Sequence, residues 1–111
     1  MPWINSLTGW TLVLCVEVGE HLEERHADRL IAGLCALCGE SGTLFFSSAR
    51  PGQKGVHHVN CQPKRWWIEL FEDQGFMLRM DLWREWHEKL QHRGKSYGRN
   101  IRRNAMFFTA R

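Results

Sequence analysis

A chain of 111 residues, 43% apolar and 24% charged, has room for one domain and is neither disordered nor fibrous. Its net charge of +3 is too small to mark a dedicated nucleic-acid binder. The late cations Arg93, Lys95, Arg99, Arg102, Arg103 and Arg111 read as a solvated surface.

No apolar run reaches membrane-spanning length, and residues 1–5 lack a basic-then-apolar leader pattern. The expectation is a cytoplasmic protein with no membrane partner and four reduced cysteines. Six tryptophans and six phenylalanines require a large buried area, within this chain or against another.

In chain order, Thr11 to Val18 is a nearly continuous apolar run, the pattern of a parallel strand covered on both faces. Charge begins at Glu17, Glu20 and His21, where that strand should end. Ala27, Leu30, Ile31, Leu34, Cys35 and Cys38 repeat with helical spacing, with Glu23 and Glu24 at the positive end and Gly39 as a C-cap. Thr43 to Ala49 predicts a second strand, parallel to the first across the intervening helix.

Arg50 to Asn60 reads as a loop. Pro63 fits the first turn of a helix burying Trp67, Leu70 and Phe71, which Gly75 ends. Phe76 to Met80 predicts a short strand. Asp81 is placed to cap a helix carrying Leu82, Trp83, Trp86 and Leu90, with Glu85 and Lys89 as an i,i+4 pair. Asn104 to Ala110 predicts the final strand.

Three segments carry a family resemblance. Glu17-Val18-Gly19-Glu20-His21-Leu22 resembles the strand-end E-x-x-E-H-[LIV] of class I S-adenosylmethionine-dependent methyltransferases that act on small molecules. Gly42 to Ser47 resembles that family's G-G-x-L-x-x-S strand, and Trp66 to Phe76 its helix-to-strand passage into Gly-Phe. The resemblance implies an α/β fold: the second half of a Rossmann-like sheet, mostly parallel with an antiparallel last strand. It also implies that residues 1–111 form a single partial domain without the cofactor-binding half, because no G-x-G-x-x-G occurs anywhere in the chain.

Ligands of open parallel sheets lie beyond the C-terminal strand ends. The resemblance places Glu17, Val18, Glu20 and His21 near the S-adenosylmethionine cofactor. It places the loop with His57, His58, Asn60 and Gln62 near a small-molecule acceptor. There a neutral histidine suits a general base, so His57 and His58 are the catalytic candidates and Asn60 and Gln62 the substrate-binding ones.

Each of these has a plainer reading, with Glu20 and His21 as a helix start and the histidines as ordinary loop residues. Cys35, Cys38, Cys61 and His57 together could be drawn as a zinc site. Cys35 and Cys38 lie on the apolar helix stripe, however, and read as core, so no metal is expected. Two functions stay open: a half-enzyme, or a non-catalytic module that pairs with a partner. Either way, the uncovered edge of Thr11 to Val18 predicts a homodimer or a complementing chain, unless Met1 to Trp10 folds back over it.

Overall fold

A computed structural model describes residues 12–53, 55–94 and 98–111 of the chain. Thr11, the Met1–Trp10 segment, Lys54 and Lys95 lie outside the described residues. Strand β1 (Leu12–Val16) stops where charge begins, and Glu17 takes a left-handed φ of 54°. Two 3-10 turns, Gly19–His21 and Glu24–His26, lead into helix α1 (Ala27–Cys38). Ala27, Ile31, Cys35 and Cys38 of its stripe are buried, with Leu30 and Leu34 packed beside them. Gly39 ends the helix at φ 69°, its N–H donating to the Cys35 carbonyl at 3.0 Å.

Strand β2 (Thr43–Ser47) follows, then a loop and helix α2 (Lys64–Asp73), with Pro63 at the N-cap rather than inside the first turn. Strand β3 (Phe76–Leu78), helix α3 (Met80–Leu90), helix α4 (Arg99–Asn104) and strand β4 (Met106–Ala110) complete the order. The Glu85–Lys89 pair forms at 3.1 Å.

The sheet order is β1-β2-β4-β3; β1 and β2 are parallel, and β4 runs antiparallel to both of its neighbours. The chain therefore folds as α/β around a four-stranded mixed sheet in which only the last strand is reversed. Helices α1 and α2 cover one face, called inner here, where Val13, Cys15, Leu44, Phe46, Met106 and Phe108 meet Ile31, Trp67 and Phe71. On the outer face α3 covers β2 and β4, with Trp86 against Phe45 and Phe107 at ring separations of 5.3 and 5.8 Å.

Several sequence expectations are corrected. β1 is not covered on both faces: Leu12, Leu14 and Val16 are 53%, 62% and 40% exposed, because no described element reaches the outer face that far along the sheet. Asp81 does not cap α3 with its side chain; it lies in the first turn, where its carboxylate pairs with the Arg79 guanidinium at 2.7 Å. That pairing holds the Asp81 carboxyl at about 2. Asn104 belongs to α4 rather than to the last strand, and α4 itself carries no apolar stripe that would have announced it.

Candidate functional site

Parallel pairing of β1 with β2 brings their C-terminal ends side by side. The Glu17 N–H donates to the Ser47 carbonyl at 2.9 Å and to Ser47 Oγ at 3.3 Å. Two residues later the chain passes close beside Trp67. A Cβ on Gly19 would stand 2.6 Å from Trp67 Cη2, so glycine is required there. The 3-10 turn then directs Glu20 inward, where it is only 1% exposed. Its Oε2 accepts a hydrogen bond from Ser48 Oγ at 2.8 Å.

Glu20 also organises the loop through its backbone, its carbonyl accepting from the N–H groups of Val59 at 2.9 Å and Asn60 at 3.1 Å. This draws His57 to Asn60 onto the β1 end. His21 Nδ1 lies 3.1 Å from the His57 carbonyl oxygen, and His58 Nδ1 lies 3.3 Å from the Gln53 carbonyl oxygen. A ring nitrogen beside a carbonyl oxygen is the protonated one, which leaves Nε2 of each neutral ring as the lone-pair nitrogen. The two rings meet edge to face at 5.1 Å.

The residues predicted from sequence thus fall together, though with different parts. Glu20, His21 and His58 each bring one ligand atom within 4.8 Å of the others, the only such group of His, Cys, Asp and Glu side chains among the described residues. His57 has an exposed side chain and a positive φ of 59°, and its contact with His21 is made by its carbonyl. Asn60 is buried, and its Oδ1 accepts from Gln62 Nε2 at 2.8 Å. Val18 has an exposed side chain and accepts the His21 N–H at its carbonyl. Glu17 Oε1 accepts from Asn104 Nδ2 at 3.0 Å.

Four contributors were not foreseen. Ser48 holds Glu20, while Gln53 and Asn104 share a hydrogen bond at 3.0 Å, and Asn104 Oδ1 accepts from Arg50 Nε at 3.2 Å. The Ser47-Ser48 pair at the end of an apolar strand is a usable local signal, since polar residues there face the strand-end site. Asn104 gives none, lying 87 positions from Glu17. Glu17 Oε2 and Asn60 Nδ2 are buried with no hydrogen-bond partner among the described residues.

A cavity of about 550 Å³ opens beside this network, lined by Arg50, Pro51, Gln53, Pro63 and Lys64. Burial, followed by the nearby Arg50 charge, pushes the Lys64 amine down. The zinc set drawn from Cys35, Cys38, Cys61 and His57 does not assemble. Cys35 and Cys38 are core thiols; burial, then the Cys38 neighbour, raises Cys35 to about 12, and burial raises Cys38. Burial, then the Glu20 and Glu17 carboxylates, pushes the Cys61 thiol up.

Chemically, the site offers a buried carboxylate, two oriented imidazoles and a buried amide at the strand ends, beside a cavity whose lining includes the cations Arg50 and Lys64. Family models, curated proteins and solved structures gave no match to this chain.

Proposed function

We propose that these residues form the acceptor-side portion of an S-adenosylmethionine-dependent methyltransferase acting on a small molecule. The observation that carries this reading is the convergence of Glu20, His21, His58 and Asn60, from segments more than 35 residues apart, on one pair of parallel strand ends. That is where an open α/β sheet holds its ligand. In this reading His58 is the proton acceptor, Asn60 and Gln62 orient the acceptor molecule, and Glu17 and Glu20 face the cofactor. No G-x-G-x-x-G lies within these 111 residues, so the glycine turn comes from other sequence.

The isolated chain is therefore expected to retain no labelled S-adenosylmethionine. Retention should return when a polypeptide carrying a glycine-rich βαβ unit is added. In that complex His58→Ala should lower methyl transfer more than it lowers cofactor affinity. Micromolar cofactor binding by the chain alone overturns the division of labour; unchanged turnover in His58→Ala overturns the base role.

A second reading rests on the exposed side chains of Leu12, Leu14 and Val16. There the half-covered sheet is a non-catalytic module that takes up a partner at β1. It is favoured if labelled cofactor is never retained while a partner chain is.

A further inference from the structure

We infer that Glu20, His21 and His58 form a binding site for a divalent first-row transition ion of the zinc, cobalt and manganese type. The donor set is two imidazole nitrogens and one carboxylate oxygen, which suits such ions and leaves a coordination position for water or a substrate oxygen. The inference does not rest on the methyltransferase reading; an ion held at His58 Nε2 takes the lone pair that the base role there would need, so in the metal-bound chain His58 is a ligand and not a base.

Two observations beyond the clustering support it. The first is the orientation of every donor by an outer partner. Ser48 Oγ occupies Oε2 of Glu20, while Oε1 lies 3.8 Å from His21 Nε2. The carbonyl oxygens of His57 and Gln53 lie beside Nδ1 of His21 and His58, which fixes the tautomer that a metal requires at Nε2. Two donors on a tetrahedral zinc ion stand about 3.3 Å apart, so the Glu20–His21 pair closes by a small rotation of one exposed imidazole. The second observation is the burial of the Glu20 side chain, which is 2% exposed. Among the described residues its carboxylate is hydrogen-bonded by the Ser48 hydroxyl and paired with His21, near the Cys15 and Cys61 thiols, and it forms no ion pair with a lysine or arginine. A carboxylate taken out of water needs a compensating cation or a full set of donors, and a bound ion supplies the first.

His57 explains why the loop is shaped as it is. Its positive φ carries backbone strain, and in that conformation its carbonyl oxygen sits against His21 while the next residue presents its ring to the cluster.

The test is titration of the purified chain with Co²⁺ under reducing conditions, followed by visible d–d absorption. One equivalent is expected to bind with nitrogen and oxygen donors and without the near-ultraviolet thiolate-to-cobalt band. Zn²⁺ should displace it. His21→Ala, in a half-exposed side chain that the fold tolerates, should weaken binding more than about 100-fold, beyond the roughly 10–100-fold that loss of an outer partner alone costs. His58→Ala and Glu20→Gln should do the same with an unchanged far-ultraviolet spectrum, whereas His26→Ala should not. The site is overturned if no stoichiometric binding occurs. It is also overturned if the His21→Ala/His58→Ala double variant binds as the parent does, or if a thiolate band places Cys61 in the coordination shell.

Discussion

The two faces of the sheet have the same kind of sequence and opposite surroundings. On the inner face the row Val13, Leu44 and Phe108 is paired across three strands and buried beneath α1 and α2. On the outer face the neighbouring row Leu14, Phe45 and Phe107 begins bare and becomes covered only at Phe45, where Trp86 of α3 arrives. Val13 is 8% exposed and Leu14 is 62% exposed, although they are adjacent and equally apolar. Hydropathy therefore records that a strand prefers burial, and only the packing of helices decides which half of its side chains obtains it.

The strongest way to break this comparison is to empty the inner face. Phe46 is fully buried, with its ring 4.9 Å from that of Trp67 and 5.3 Å from that of Phe71. Phe46→Ala removes both contacts and leaves a cavity that α1 and α2 cannot close, so a loss of about 3–5 kcal/mol is expected in urea unfolding. A loss below about 1 kcal/mol would mean that the inner face is loosely packed and that the contrast between faces is false.

A gentler probe uses the inner-face thiols. Burial, with Glu20 nearby, raises Cys15 to about 11, and Cys35 is raised to about 12. Both thiols are held neutral in the folded chain, whereas in the unfolded chain they ionise near the ordinary thiol value of 9.0. The unfolded state thus releases protons first, and stability should be level with respect to these groups below pH 9. It should fall as pH rises from there through about 11 to about 12. Replacing both with alanine should flatten the alkaline limb of a stability-versus-pH curve measured by denaturant midpoint. An unaltered limb means that other groups cause the loss.

How far the sequence could anticipate all this follows from the same distinction between apolar pattern and surroundings. Helix α1 was legible because its buried residues repeat every three or four positions and Gly39 closes it. Helix α4 was not, because its buried members, Arg102 and Asn104, are polar and are held by hydrogen bonds rather than by an apolar stripe. The Asp81 cap failed because the helix begins at Met80, with Arg79 at the N-cap and Asp81 inside the first turn, where its carboxylate pairs chiefly with the Arg79 guanidinium. At the site, Glu20, His21 and His58 could be picked out as reactive types, but their meeting depends on one backbone carbonyl, that of Glu20, binding Val59 and Asn60. Nothing in either segment signals that bond.

The finest test of the comparison changes one side chain on each side of the same strand. Leu14 is 62% exposed, so Leu14→Lys mostly replaces apolar surface that water already reaches, and monomer stability should move by no more than about 0.5 kcal/mol. Val13→Lys, one residue earlier, forces an ammonium under α1 and should prevent folding at neutral pH. The outer substitution has its effect elsewhere. Leu12, Leu14 and Val16 form an exposed apolar row on a strand whose only partner among the described residues is β2. Such a row favours association with a second copy, and a lysine in its centre opposes it by charge and by hydration. Sedimentation at micromolar concentration should therefore show self-association of the parent chain and a shift toward monomer in Leu14→Lys, with unfolding midpoints nearly equal at low concentration. If the parent is already monomeric and its amides from residue 12 to residue 16 are strongly protected from exchange, the free edge of β1 is paired within the chain, and the apolar row beside it does not drive association.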